Sequence, residues 1–566
     1  MIRTGETGAH IPSGGSAIPV ALVYPNTYRV GMGNLGYQYM YKYFNNLPQF
    51  VAERFFFPDP TGEAGGRGRG PLSEESSRPL TSFSVIAFSI PFENDYPAVP
   101  GALIAAGIPP LQRDRGASDP LVIAGGVSVS LNPEPLAPFL DLAFIGEPDE
   151  HGEAGGLFDV LAEALSDSPH ALADREGFLR IFRDTAGAYV PSAYAFDFGP
   201  DGLIQEIRHS SGFPSRVKAV KRLAKDATVP VSVLFSQEAE FGGSLLVESN
   251  RGCGRGCRFC AAGWIHRPVR YRDFASFKHE VDEAVGAGRT IGLIGSDLAG
   301  HPELEDILQY IADMGGNFSL SSIRPEGLTE NVIRLLAGTG QKTATLAPEA
   351  ASPRMKRVIG KDLPSETFYD LVGRLVAEGI PNIRFYFMVG LPTETDEDAE
   401  AIVEFVSKAR EVFLQASRPL GRIGRIGVQL NPFIPKPWTP FQWAGMAGLQ
   451  TLRRRLRMIH NTLKRLPNVV VRAESVRESL VQGMISRGDR RISQILMNGT
   501  DAAGGRSGIL GKKSNETAFY LHRERGENEI FPWDVVDHGV TKQTLRRIYN
   551  ESISGPDSAV ASGEIS

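Results

Sequence analysis

Short apolar runs alternate with amphipathic stretches through the first 165 or so residues. The runs AIPVALVYP, VAERFFFPD, SFSVIAFSI, PLVIAGG and LDLAFIGEP have the length and β-branched or aromatic content of strands. Helical periodicity falls at residues 35–45, around 97–106, and at 155–165. This rhythm predicts a doubly wound parallel sheet. Residues 61–79, TGEAGGRGRGPLSEESSRP, interrupt it with Gly, Ser and charge and predict a mobile loop.

Residues 166–240 carry weaker strand signals, at GAYVPSAYAFDF and GLIQEIRH, and read as a connecting subdomain. From about residue 243 the alternation returns. GGSLLVES, RTIGLIG, NFSLSSI, KTATLAP, IRFYFMVG and RIGVQLNPF are six predicted strands, separated by amphipathic stretches such as PELEDILQYIADMG and SETFYDLVGRLVAEG. Six βα units predict a partial (β/α)6 barrel over residues 241–445, with its chemistry at the carboxyl ends of the strands. Residues 446–566 read as a helical C-terminal region. Its segment TLRRRLRMIHNTLKRL sets Leu452, Leu456, Ile459, Leu463 and Leu466 on one face and a basic surface opposite. The stretch 501–516 and the last fifteen residues are expected to be flexible. The fold class is therefore α/β, with a doubly wound sheet over 1–165, the connecting subdomain, the partial barrel and the helical region in that order.

Composition narrows the function. A chain of 566 residues, 42% hydrophobic and 22% charged, is ordinary soluble globular material for several domains. A net charge of −5 argues against a surface built wholly for nucleic acid. No apolar run suits a membrane span and the opening residues lack a signal-peptide core, so the expected location is the cytoplasm.

The chain holds 3 cysteines, and all of them fall in RGCGRGCRFCAAG: Cys253, Cys257 and Cys260. Their CxxxCxxC spacing lies on the first βα loop of the predicted barrel, the rim where chemistry sits. Three thiolates on one tight loop can hold one face of a cubane 4Fe-4S cluster and leave the fourth iron open to a small molecule. Neighbouring glycines let backbone amides approach the cluster sulfurs. The ordinary alternative is a zinc site completed by His266; no second cysteine knuckle supports it.

With Phe259 as the aromatic of CxxxCxΦC, the segment resembles the radical S-adenosylmethionine superfamily. RGCGRGCRFCAAGWIHRPVRYR, TLAPEAASPRMKRVIGK, RFYFMVGLPTETDED and PFIPKPWTPFQW resemble a subgroup of it with an N-terminal cobalamin-binding-like domain. The resemblance implies a 4Fe-4S cluster on the three cysteines, S-adenosyl-L-methionine on the open iron, Phe259 beside the adenine, and a reducing partner such as flavodoxin or ferredoxin. It leaves the substrate unnamed. Where the superfamily often carries GGE(P), this chain has LIGSDLAG, so Ser296 and Asp297 are the residues for the methionyl amine; the alternative is a helix N-cap. Arg324 is placed to reach a substrate carboxylate, with a surface ion pair as the plain alternative. Glu349 matches a glutamate set against ribose or methionine, and Gly390 is read as permitting approach to the adenine.

In the N-terminal domain, Gly125 and Gly126 of VIAGGVSVS resemble cobalamin-domain turns. The loop YPNTYRVGMGNLGYQ lacks the DxHxxG histidine, so cobalamin binding through histidine is unsupported and cobalamin itself stays open. With cobalamin, methyl transfer to an unactivated carbon is the leading outcome. Methylthiotransfer is disfavoured, since a second cluster needs three further cysteines. RNA modification is an alternative, because residues 451–472 hold seven Lys or Arg and no acid. Nucleic acid is nevertheless not favoured, since the same helix keeps an intact apolar stripe for packing on the barrel.

Overall fold

The computed structural model describes residues 3–10, 17–57, 70–148, 156–166, 171–223, 229–320, 324–499 and 514–554. The first five apolar runs form β1 (Ile18–Thr27), β2 (Phe50–Phe57), β3 (Val85–Ser89), β4 (Leu121–Gly125) and β5 (Leu142–Phe144). They pair in parallel in the order β2-β1-β3-β4-β5, and β6 (Ala188–Tyr189) adds an antiparallel edge. Helices cover both faces, so Val20, Ala21, Val23, Val85, Ile86, Leu121 and Val122 are all completely buried. The order reverses between β1 and β3, the switch point where such sheets take ligands. The predicted helices occupy Leu35–Asn46, Ala98–Ala105 and Leu157–Ser166. A hairpin of β7 (Tyr194–Phe198) and β8 (Ile204–His209) follows, and β9 (Val217–Lys218) pairs in parallel with Val536–Asp537.

Part of the expected mobile loop is folded. Residues 61–69 lie outside the described residues, but the SEESS stretch closes over β2. Arg54 donates to Glu75 at 2.6 Å and to Glu6 at 2.5 Å, and all three side chains are fully buried. The Glu75 carboxylate also accepts from the Arg54 backbone at 2.7 Å and from the Tyr41 hydroxyl at 3.0 Å. A charged, Ser-rich string is here the counter-ion of a buried arginine, a pairing that local composition does not reveal.

Contacts divide the chain into Met1–Leu245 with Met484–Lys513 and Asn528–Gly539, and Leu246–Gly483 with Ser514–Glu527 and Val540–Ser566. Residues 166–240 thus share the first unit with the parallel sheet, and the expected separate C-terminal region is divided between the two units. Polar clasps are the reason. Asn132 Nδ2 donates to the carbonyls of Ser486 and Gly488 at 3.1 and 2.8 Å, and Arg490 Nε donates to the buried Glu134 at 2.8 Å. The SRGDRR segment is a latch onto the first unit.

In the second unit, β10 (Leu245–Arg251), β11 (Arg270–Tyr271), β12 (Ile291–Gly295) and β13 (Phe318–Leu320) form one sheet in the order β11-β10-β12-β13. The end of the NFSLSSI run, 321–323, lies outside the described residues. A second sheet runs β14 (Thr343–Glu349), β15 (Asn382–Val389), β16 (Ile426–Pro432) and β17 (Val469–Ala473), parallel throughout. β17 is not among the expected strands, because NVVVRAE follows a strong helix and has only three apolar residues in a row.

Strands β14, β15 and β16 alternate in burial along their length. Leu346, Phe385, Phe387, Val428 and Leu430 are buried, with Phe405 of the helix Asp396–Ser417 meeting Phe385 and Phe387 edge-to-face. The opposite face shows Thr345, Glu349, Tyr386, Gln429 and Asn431 half-buried. One face packs on helices and the other is open and polar, as a barrel wall serving a site requires. The basic helix Leu449–Leu463 buries Leu452, Leu456, Ile459 and Leu463. Arg455 donates to Glu394 at 2.8 Å and to Asp396 at 2.9 Å, and Arg454 also pairs with Asp396. The acids of LPTETDED therefore take up part of the basic face.

Candidate functional site

The cysteine loop leaves β10 at Gly252, whose φ is +83°. A side chain there would meet the His266 carbonyl oxygen at 2.3 Å, so only glycine fits. Cys253, Cys257 and Cys260 are free thiols, each half-buried. Arg258 locks the loop from within: its N–H donates to the Ile359 carbonyl at 2.9 Å, and its guanidinium donates to the carbonyls of Arg357 and Val358 at 2.7 and 3.0 Å. Trp264 Nε1 donates to the Cys257 carbonyl at 3.0 Å, and the Arg267 guanidinium lies 4.2 Å over the Trp264 ring. Burial pushes the Cys253 and Cys260 thiols up, and the charge of the other thiols adds to it. A metal held there would supply the opposite charge, and a coordinating thiol is deprotonated. Among the described residues no three His, Cys, Asp or Glu side chains converge on a single-ion position. A cluster asks for less convergence, since each thiolate takes a different iron.

Asp297 lies beside this loop and is 6% exposed. Its Oδ2 accepts from the Tyr271 hydroxyl at 3.1 Å; its Oδ1 is buried without a hydrogen-bond partner, with Arg255 Nε at 3.6 Å as an ion pair. Burial first, and Asp297 second, push the Tyr271 phenol up to about 12. The N-cap alternative is not what the side chain does: Asp297 makes no capping hydrogen bond to the turn Leu298–Gly300, and the helix Leu304–Asp313 begins after Glu303. Asn250 sets its position, Oδ1 accepting from the Asp297 N–H at 3.2 Å. Gly295 leaves room for that carbonyl, which a side chain would meet at 1.9 Å. Ser296 is exposed beside it.

Arg324 is brought to the same loop. Its Nη1 stands 3.7 Å from Cys257 Sγ and its Nη2 donates to Glu326 at 3.3 Å. Glu349, at the end of β14, has φ +66°, a conformation costly for a residue with a Cβ. Its partner is Lys361 Nζ at 3.7 Å, and burial pushes its carboxyl up. Phe259 is half-buried on the loop. Gly390 has φ +89°, and a side chain there would meet Leu452 Cδ2 at 2.6 Å, so helix packing accounts for this glycine. Asn250, Tyr271, Arg258 and Lys361 were missed. Tyr271 and Lys361 stand in the quoted stretches RPVRYR and RVIGK, but only folding shows what they face.

In the first unit Gly126 has φ +119°, and a side chain there would strike the Ile90 carbonyl oxygen at 2.4 Å. The close crossing of two backbones demands this glycine. Gly125 makes only ordinary contacts. At the switch point Asn26 Nδ2 donates to Asp95 Oδ1 at 3.1 Å, joining the carboxyl ends of β1 and β3. Asn94 next to it is buried, and its Oδ1 has no hydrogen-bond partner.

Residues 36–191 match the family described as radical SAM proteins, N-terminal, and residues 247–406 match the radical SAM superfamily. Together the two matches cover more than half of the chain, one in each of its two units. The chain belongs to the radical S-adenosylmethionine superfamily. This radical S-adenosylmethionine protein is 25% identical over 484 residues to uncharacterized protein MJ0966 of Methanocaldococcus jannaschii, covering 84% of this chain and 90% of that one. It is 29% identical over 238 residues to the ribosomal protein uS12 methylthiotransferase RimO of Sorangium cellulosum, covering 36% of this chain and 47% of the relative. The chain thus spans less than half of that methylthiotransferase. Among solved structures it is similar to the radical S-adenosylmethionine methyltransferase TsrM of Kitasatospora setae, with a TM-score of 0.47 and 16% identity over 75% of this chain and 77% of that one. Among the described residues no helix is long and apolar enough to cross a membrane.

Proposed function

We propose that this radical S-adenosylmethionine enzyme holds a 4Fe-4S cluster on Cys253, Cys257 and Cys260 and binds S-adenosylmethionine against Asp297, Arg324 and Glu349. The observation that carries the reading is Asp297 Oδ1, a buried carboxylate oxygen beside the cysteine loop that has no hydrogen-bond partner and only Arg255 Nε at 3.6 Å as an ion pair. Such an atom calls for a donor, and a methionyl ammonium is one. When bound, the cluster supplies the electron that splits S-adenosylmethionine into methionine and a 5′-deoxyadenosyl radical. The protein's own share is positioning. Arg258 and Trp264 fix the loop backbone, Tyr271 and Asn250 orient Asp297, and Lys361 holds Glu349 at the strand end. Arg324 supplies positive charge beside Cys257 and an arm for a carboxylate.

We read the first unit as a cobalamin domain that works without a histidine ligand, which makes methyl transfer the leading reaction. The switch-point order and the unpartnered Asn94 Oδ1 support it. Methylthiotransfer is not part of this reading, because all 3 cysteines are used by one loop. The test is anaerobic reconstitution with iron and sulfide, followed by titration with S-adenosylmethionine while the paramagnetic signal of the reduced cluster is recorded. The wild type is expected to show a ligand-shifted signal, and Asp297→Asn to bind about 10–100-fold more weakly, the worth of a charge-assisted hydrogen bond. An unshifted signal at saturating ligand would overturn the reading. Co-elution of added hydroxocobalamin with the reconstituted chain tests the first unit; elution without it contradicts that assignment.

A further inference from the structure

Arg255 stands midway between Cys253 and Cys257, and its chain neighbours, Gly254 and Gly256, carry no side chain to confine it. Its guanidinium sits between two carboxylates. Nε is 3.6 Å from Asp297 Oδ1 and Nη1 is 3.8 Å from Glu326 Oε1, so both pairs rest on charge and neither is a hydrogen bond. The two acids are held differently. Asp297 is buried, and its Oδ2 accepts from the Tyr271 hydroxyl at 3.1 Å. Glu326 is more exposed and accepts from Arg324, from Nη2 at 3.3 Å and Nε at 3.4 Å, while Arg324 Nη1 stands 3.7 Å from Cys257 Sγ. Charges therefore alternate along Asp297, Arg255, Glu326 and Arg324, and the row ends beside a thiol. A buried carboxylate needs a counter-charge while no ligand is present. Arg255 supplies it with 36% of its own side chain still exposed.

We propose that Arg255 is a placeholder: it neutralises Asp297 in the empty site, yields that carboxylate to the ammonium of an incoming S-adenosylmethionine, and passes its own charge to Glu326. The inference rests on the Asp297 reading above and names a residue that sets affinity by competing with the ligand, not by holding it. No proton moves and no bond is made or broken, since one cation replaces another at Asp297. The geometry suits Arg255 to yield. An ammonium can come within hydrogen-bond distance of Oδ1 and gain a charge-assisted bond, which Arg255 at 3.6 Å does not make. The second carboxylate is already at 3.8 Å, so leaving Asp297 does not strand the guanidinium. A ligand without a cation of its own cannot take the place of Arg255, because Asp297 would then be buried without a counter-charge. The seat therefore selects for a free amine.

Equilibrium dialysis of S-adenosylmethionine against the full-length chain, reconstituted to equal iron content and kept free of reductant so that nothing is cleaved, reads this as a sign. A residue that holds the ligand loses affinity when it is cut back, and a placeholder gains it. Arg255→Gln is expected to bind S-adenosylmethionine about two- to fivefold more tightly than the wild type, the worth of a partly exposed ion pair. Arg255→Lys keeps the cation and should show no such gain. In an Asp297→Asn background Arg255→Gln should have no effect, because the seat it competes for is gone. Weaker or unchanged binding by Arg255→Gln overturns the proposal, as does an equal gain in Arg255→Lys. A gain that persists in Asp297→Asn also overturns it, being then a general charge effect on a cationic ligand. Asp297→Asn alone separates the two readings. If it weakens binding while Arg255→Gln brings no gain, this inference falls by itself; if it binds like the wild type, the assignment of Asp297 to the methionyl amine falls too.

Discussion

Replacing any one of Cys253, Cys257 or Cys260 by alanine should abolish the 4Fe-4S absorbance and bring 5′-deoxyadenosine formation to background. The expected fall exceeds about 100-fold, because loss of even an outer supporting partner of a metal ligand costs 10–100-fold. Each thiolate is one of three anchors on a loop otherwise held by backbone and arginine contacts, so the fold should survive. Arg258 keeps its bonds to the carbonyls of Arg357, Val358 and Ile359, and Gly252 keeps its turn. Circular dichroism and thermal unfolding of the iron-free proteins should therefore be unchanged within about 1 kcal/mol, the range of substitutions that break no buried network. A variant retaining full cluster absorbance would remove that cysteine from the ligand set.

The largest effect on stability is expected from Arg54→Met. Arg54, Glu6 and Glu75 are fully buried together, and the methionine would leave two carboxylates without their cation. Breaking a buried pair by removing one partner costs about 3–5 kcal/mol. The first thermal transition of the full chain should fall accordingly, read as the earliest step because a chain of two units need not unfold in one. Adding Glu75→Gln to Arg54→Met should recover part of the loss, since one of the stranded charges is then gone. No recovery would mean that Tyr41, which also donates to Glu75, and the packing around Arg54 carry the stability.

That ion cluster also marks the limit of what the sequence discloses. Apart from β2, which carries Glu53 and Arg54, the strands of the first sheet are near-continuous apolar runs because both faces are covered, and such runs are legible without neighbours. The cysteine spacing is legible for a similar reason: on the proposed reading three thiols share one cluster, so they stay close in the chain. Glu75 and Arg54 are distant, and SEESS has the composition of a loop whichever way it folds. Asp297 stood between two readings in sequence because an acid after a strand serves a helix cap as readily as a ligand. In the fold its side chain caps nothing, and Oδ1 is buried without a hydrogen-bond partner. At Gly390 the close neighbour is Leu452, on a helix more than fifty residues downstream, which no local pattern discloses.

The most direct measurement is 5′-deoxyadenosine release. The full-length chain, reconstituted anaerobically with iron and sulfide and given S-adenosylmethionine and dithionite, should release it in step with cluster content, and Cys257→Ala should release none. A wild-type protein that carries the cluster, with confirmed S-adenosylmethionine binding, and yet releases no 5′-deoxyadenosine above the dithionite blank would contradict the account at its centre.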